Sequence, residues 1–340
     1  MLTLRDLRYR AVRFLVVTFG TALVFTLLFL MTGLVEQFNQ EPFLTVDAIS
    51  QASWTVPEGA SGPFTSSSTL RPDQVEALGA EPLLIARGTI EIDGVPGEGI
   101  VAGYRQGGRV SPPLVDGRRP SAEREAIVDV STDLAPGDSF DLGGTRFTVV
   151  GTTDDTTLLA GQPMVFVLIE DARTVMFGGA EVTMATLSES PPPAVEGTVT
   201  LTAAEVAEDA LGPLENAISS VDLIRVLLWV VAGIIIGAVV YLSALERQRD
   251  FAVLLAVGGK ARQLSTSLAI QAVFVALLAV ALAAVIQALV VPVFPLKVRV
   301  PVRALWQLPL VAVVVSLLAA SAAMRRVRRT DPAAAFGGPA

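Results

Sequence analysis

The sequence predicts a membrane protein in two parts: an all-α transmembrane domain of four helices, and an extracytoplasmic α+β domain inserted between spans 1 and 2. Three observations predict this. The chain of 340 residues is 52% apolar, with a mean hydropathy of +0.59, high for a soluble domain. Four long runs contain no charged residue. The charge is also segregated: residues 36–221 hold 28 Asp and Glu against 9 Arg and no Lys, while basic residues gather at the ends of the apolar runs.

The runs cover residues 14–35, 226–245, 263–296 and 304–324. Each reaches the ~20 residues that a helix needs to cross the hydrocarbon core. Only a helix satisfies its own backbone there. Pro292 is expected to end the third helix, and Pro309 lies in the first turns of the fourth. The first run is longer than a signal-peptide core of about 7–15 residues, and no Ala-x-Ala site follows, so a retained span is expected.

Sidedness follows from Arg and Lys. Arg5, Arg8, Arg10 and Arg13 precede span 1. Arg247, Arg249, Lys260 and Arg262 lie between spans 2 and 3. Arg325, Arg326, Arg328 and Arg329 follow span 4. The positive-inside rule places these segments and both termini in the cytoplasm, making a multi-pass plasma-membrane protein with the acidic segment outside. Lys297, Arg299 and Arg303 run against the rule and are outweighed.

The expected organisation is then: 1–35, an N-terminal interfacial segment and transmembrane helix 1; 36–221, the extracytoplasmic domain; 222–245, helix 2; 246–264, a cytoplasmic coupling segment; 265–291, helix 3; 292–303, an outer loop; 304–324, helix 4; and 325–340, a cytoplasmic tail. Leu2, Leu4 and Leu7 alternate with Arg5, Arg8 and Arg10, which fits an interfacial helix or an ordinary positive flank equally.

In the inserted domain, strand patterns cover 45–56, 83–92, 99–104, 126–130, 145–150 and 164–169. Gly143-Gly144 reads as a hairpin turn between 139–142 and 145–150. Residues 72–78 read as a helix opened by Pro72, and 202–211 as another. At about 185 residues the segment is large enough for its own core.

The chain has no cysteine and no histidine. That excludes disulfides, thiol chemistry, Cys-based zinc sites and histidine catalysis. Asp154-Asp155 and Glu170-Asp171 are candidate cation or acid–base groups, but lack metal-ligand spacing and read better as turn and surface charges. Gly107-Gly108 and Gly178-Gly179 are not followed by Lys-Ser/Thr, so no nucleotide site is expected on this chain. No catalytic residues, metal site, bound cofactor or nucleic-acid partner are expected.

Four stretches carry a resemblance. Residues 246–259, Glu-Arg-Gln-Arg-Asp-Phe-Ala-Val-Leu-Leu-Ala-Val-Gly-Gly, are similar to "ERxREIGxLKAxGA". Residues 329–336, Arg-Thr-Asp-Pro-Ala-Ala-Ala-Phe, are similar to "xDPxEAL". Residues 116–120, Asp-Gly-Arg-Arg-Pro, followed by Glu125-Ala126-Ile127-Val128, are similar to "GRxPxxxxEivi". Residues 136–139 with 147–151 are similar to "vGdxixl…fxVvGi". Taken in chain order they resemble the FtsX/MacB-type ABC transporter permeases over the whole chain. Phe251, Leu255 and Ala334 depart from the usual Ile, Lys and Glu. The short chain, the Arg-rich start and the Phe336-Gly337-Gly338 ending are most similar to the single-unit haem-exporter permeases.

The resemblance implies a non-catalytic permease that forms a homodimer with two copies of a cytoplasmic ATPase, which holds the ATP and Mg. It exports a hydrophobic or amphipathic substrate by mechanotransmission. Segment 246–264 would meet the ATPase through Arg247, Arg249, Phe251, Val253, Leu254, Val257, Gly258 and Gly259. A simple surface-lying connector is the alternative for this segment. Haem is the leading cargo, with lipid, drug or peptide also possible. Tyr241 matches a family tyrosine, and Met31 and Glu36 are possible iron ligands. Each also has a plain reading: an interfacial aromatic, a packing residue and the solvated end of a span. The spans contain almost no ionisable groups, which argues against an ion-driven carrier. A protein that signals to an external partner such as a cell-wall hydrolase, without transport, is the alternative function.

Overall fold

The computed structural model describes residues 11–50, 52–246, 261–294 and 296–328. They form two compact units. One comprises residues 37–218, and the other the residues up to 36 together with those from 219 onward.

The helical unit contains α1 (Ala11–Ile49, whose last part belongs to the other unit), and three helices that follow 218 or cross it, numbered here after three short ones: α5 (Glu215–Glu246), α6 (Ala261–Val290) and α7 (Val302–Arg328). Among the described residues, three helical stretches are long and apolar enough to cross a membrane: Leu15–Ile49, Ala203–Ala238 and Ala269–Val293. In α7 the apolar stretch Val302–Leu318 is shorter. The interior is built on small residues. Ala272, Ala276, Ala279 and Ala283 line one face of α6 and are buried with Phe25 and Phe29 of α1, Ala232 of α5, and Ala304 and Ala312 of α7. Small side chains let helices approach closely where lipid offers no hydrophobic drive for association. A Cβ on Gly233 would lie 3.2 Å from Val315 of α7. Phe25 meets Trp229 edge-on, with centroids 5.9 Å apart. Leu15, Phe19, Leu23 and Leu27 are exposed at four-residue spacing, an apolar stripe suited to lipid. Three span threonines bond back to their own helix: Thr21, Thr26 and Thr32 donate to the carbonyls of Val17, Ala22 and Leu28 at 2.8, 2.9 and 2.7 Å.

The β-rich unit contains β1 (Ser53–Pro57), α2 (Pro72–Leu78), β2 (Glu81–Ile92), β3 (Val95–Tyr104), β4 (Leu114–Gly117), β5 (Glu125–Asp129), β6 (Ser139–Leu142), β7 (Thr145–Thr153), β8 (Thr157–Leu158), β9 (Gln162–Leu168), α3 (Ile169–Phe177), β10 (Ala185–Ser188), β11 (Thr198–Leu201) and α4 (Ala203–Leu211). The main path of the sheet runs β11-β1-β10-β2-β3-β9-β5-β7-β4, and β6 pairs with both β2 and β7. That double pairing closes β2, β3, β9, β5, β7 and β6 into a ring, so these strands leave no open edge between them. Most pairs are antiparallel; β3–β9 and β5–β7 are parallel.

Both faces of the ring are buried. Leu84, Val101, Ala126, Val128, Phe140, Phe147, Val165 and Val167 fall in one apolar cluster. Their neighbours Ile85, Ile100, Ala102, Ile127, Met164 and Phe166 fall in another, with Trp54 and with Val206 and Ala210 of α4. Period-two alternation between two apolar clusters explains why these strands read as continuous hydrophobic runs. Helix α3 closes on the first cluster through Ile169 and Ala172. Its approach requires Gly103, where a Cβ would fall 2.5 Å from that of Ala172. The Gly143-Gly144 turn joins β6 to β7 with both φ positive, 54° and 80°, as a two-residue hairpin turn demands.

One expected strand is different. Residues 45–49 of the run at 45–56 are helical, and only Ser53–Pro57 is extended. The buried positions Phe38, Glu41, Thr45, Val46 and Ile49 recur every three or four residues. This helical face was hidden in the sequence because two of its members are polar. The helix of span 1 therefore continues well past residue 35.

Candidate functional site

The best-defined polar cluster lies where the last part of α1 meets the β8–β9 hairpin. Glu41 is 1% exposed. Its carboxylate accepts the Thr157 hydroxyl, the Gly161 N–H at 2.8 Å and the Ala160 N–H at 3.1 Å. One turn along, the Thr45 hydroxyl donates to the Thr157 carbonyl at 2.6 Å. Leu159, Ala160 and Gly161 have φ of 54°, 69° and 93°. Two successive non-glycine residues in the left-handed region are costly. They turn two backbone N–H groups onto one anion, a concave nest that a carboxylate fills.

The base of the hairpin is held by a second buried acid. Asp129, at the end of β5 and fully buried, accepts the Thr156 N–H at 2.8 Å, its hydroxyl at 3.0 Å and the Ser131 N–H at 2.9 Å. Every oxygen of Glu41 and Asp129 faces donors supplied by the fold. Their bonds fix a helix to a hairpin.

The outer-domain motif Gly117-Arg118-Arg119-Pro120…Glu125 is also structural. Both oxygens of Glu125 engage the Arg118 guanidinium, and one also takes the Ser121 and Ala122 N–H groups at 2.8 and 3.1 Å. The guanidinium holds the Glu125 carboxyl down at about 2. The other acidic candidates are similarly occupied. Glu170 pairs with Arg173 at 3.0 Å, Asp171 accepts the Arg124 N–H at 2.9 Å and Asp154 accepts the Asp155 N–H at 2.9 Å. Burial pushes the Asp171 carboxyl up. Among the described residues no three acidic groups gather as a metal site would need.

Of the residues singled out in the sequence, Tyr241 is half-buried against the apolar cluster of the helical unit. Met31 is half-buried on α1. Glu36 forms an ion pair with Arg303, at the start of α7. Met31 and Glu36 are five positions apart on one helix, about 140° around its axis, so they present different faces. Arg247, Arg249, Phe251, Val253, Leu254, Val257, Gly258 and Gly259 lie outside the described residues, as do residues 1–10 and the tail from 329. Glu41, Thr45 and Thr157 were missed. The available signal was a glutamate continuing a helical period beyond the first span.

An uncharacterized ABC transporter permease of Mycobacterium tuberculosis (strain ATCC 25618 / H37Rv) is 37% identical to this chain over 345 residues, covering 99% of each protein. The chain belongs to the FtsX/MacB-type ABC transporter permeases. A second uncharacterized permease of that strain is 36% identical over 344 residues, again covering 99% of each. The FtsX-like permease C-terminal family matches residues 223–332. Among solved structures, the periplasmic region of MacB from Actinobacillus actinomycetemcomitans aligns with a TM-score of 0.35 at 11% identity, covering 48% of this chain and 94% of that one. Membership sets the coarse role. This permease is a membrane protein, a non-catalytic transporter subunit that works with a cytoplasmic ATPase.

Proposed function

We propose that this permease is the mechanical half of an ABC exporter. Two copies of a separate ATPase drive a homodimer of this chain, which moves a hydrophobic or amphipathic substrate outward. The basic clusters argue for four crossings, with both termini and segment 246–264 in the cytoplasm and the β-rich unit outside. Helix α7 has 27 residues, about 40 Å of helix, enough for a fourth span. Segment 246–264 receives the stroke through Phe251, Val253, Leu254 and Val257, flanked by Arg247 and Arg249 and followed by Gly258-Gly259. The observation that carries the mechanical reading is the clasp at Glu41. Helix α1 runs from Ala11 to Ile49 with Pro42 inside it, and its last part is fastened by Glu41 and Thr45 to the β8–β9 hairpin.

Phe251→Asp with Leu254→Asp should abolish co-purification of the ATPase while leaving membrane insertion intact. Undiminished co-purification would remove this role for the segment. Haem is the first cargo to test, and Tyr241 is its first residue, since Glu36 already has Arg303 as a partner. Tyr241→Ala should weaken a Soret-band titration of the purified protein, and an unresponsive wild type would end the haem branch.

The Glu41 clasp equally favours a second reading, in which the stroke ends in the β-rich unit and governs an external partner such as a cell-wall hydrolase. Substrate-stimulated ATPase activity in the reconstituted complex favours export. An ATPase indifferent to haem, lipids and amphipathic drugs, with hydrolase binding by the outer unit, favours signalling.

A further inference from the structure

The β-rich unit contains a cavity of about 520 Å³ that neither function above uses. Its size falls within the range of small-molecule sites. Its apolar wall includes Phe64, Ile85, Ile100, Met176 and Met184. Ile85 and Ile100 are core residues, 4% and 2% exposed, so the floor is a rigid part of the ring. The two methionines add adaptable, polarisable surface.

The charge of the lining is unusual for this unit. In a segment with 28 acidic residues against 9 Arg, the lining includes Arg87 and no acid. Arg87 stands directly opposite Ile100 in the β2–β3 pairing, on the same strand face as Ile85. Most arginines of the unit are engaged: Arg71 with Asp73, Arg109 with Glu189, Arg118 with Glu125, Arg146 with Asp141 and Arg173 with Glu170. The Arg87 side chain makes no ion pair or hydrogen bond among the described residues, and neither do the hydroxyls of Ser67 and Thr69 on the opposing loop. A guanidinium and two hydroxyls, all exposed beside an apolar wall, form a donor set that suits a carboxylate on an apolar body.

We propose that this cavity binds an amphipathic carboxylate, with its chain against Phe64, Ile85 and Ile100 and its head on Arg87. The site stands independently of whether the permease exports or signals. It assigns Arg87 as the head-group determinant and the Ser67–Thr69 loop as its second wall.

The test uses the full-length chain in lipid nanodiscs and two photoactivatable diazirine probes, a lauric acid analogue and the matching alcohol. Labelled peptides are mapped by mass spectrometry. The acid probe should label peptides containing residues 63–69, 85–100 or 176–184, and excess laurate should suppress that labelling. Arg87→Gln should lower it about tenfold, as loss of one charge-assisted hydrogen-bonding partner implies. Arg87 is exposed, so this variant keeps the fold. Ser67→Trp, also at an exposed position, should block labelling by filling the mouth. Labelling confined to the membrane helices, equal labelling by acid and alcohol, or undiminished labelling of both variants would overturn the proposal.

Discussion

The two units bury their interiors by different physics. The helical unit packs alanines against phenylalanines, and the hydroxyls of Thr21, Thr26 and Thr32 turn back onto their own helix. The β-rich unit packs large side chains on both faces of a closed ring and fixes its loops with buried carboxylates, Glu41 and Asp129. One interior depends on closeness, the other on volume and on specific polar bonds. Close approach suits helices surrounded by lipid, and dense packing of large side chains suits a unit whose interior is shielded from water.

The largest expected effect tests the volume side. Phe147→Ala removes a ring that is fully buried in the barrel cluster and should destabilise that unit by about 3–5 kcal/mol. Hydrogen exchange of β5, β7 and β9 should rise while residues 269–293 keep their protection. Equal loss in both units would break the comparison. Next is the clasp. Glu41→Ala strands the Thr157 hydroxyl and the N–H groups of Ala160 and Gly161, at a cost of about 3 kcal/mol. Glu41→Gln retains one acceptor oxygen and should cost about half of that. The readout is protection of residues 156–161, and unchanged exchange in Glu41→Ala would deny the clasp any mechanical role.

The closeness side is tested by Ala279→Leu, which overfills the α6 interface and should cost about 1–3 kcal/mol in the helical unit alone. The smallest effect is electrostatic. Glu125 is held at about 2, below its ordinary 4.5, so its contribution is complete above the unfolded value. It is lost as pH falls from about 4.5 through about 2. Arg118 is more than half exposed, which screens the pair and keeps the effect small. Arg118→Ala should flatten the acid limb of a β-rich-unit melting profile, and an identical acid limb in the variant would show that the pair contributes nothing.

Much of the β-rich unit was legible. Residues 72–78 form the expected helix, Gly143-Gly144 makes the expected turn, and the runs at 83–92, 126–130 and 164–169 lie on strands β2, β5 and β9. These depend on local chemistry: a proline at a helix start, two glycines with positive φ, and apolar alternation. The extension of α1 through 45–49 was not legible, because Glu41 and Thr45 break the apolar period. They are buried only because a hairpin distant in sequence supplies donors to Glu41 and a carbonyl acceptor to Thr45. The cavity beside Arg87 was equally hidden, since its walls come from a loop, two strands and the end of α3.

The apolar helices, the segregation of charge and the family motifs are readable from residue order, because each is a short-range property of composition and period. That β6 closes the ring, that Glu41 is a fastener and not a surface acid, and that Arg87 is the charged residue of the cavity lining emerge only once the chain is packed. Each of those depends on which distant backbone groups arrive at a given side chain, and that is fixed by packing, not by neighbours in the chain.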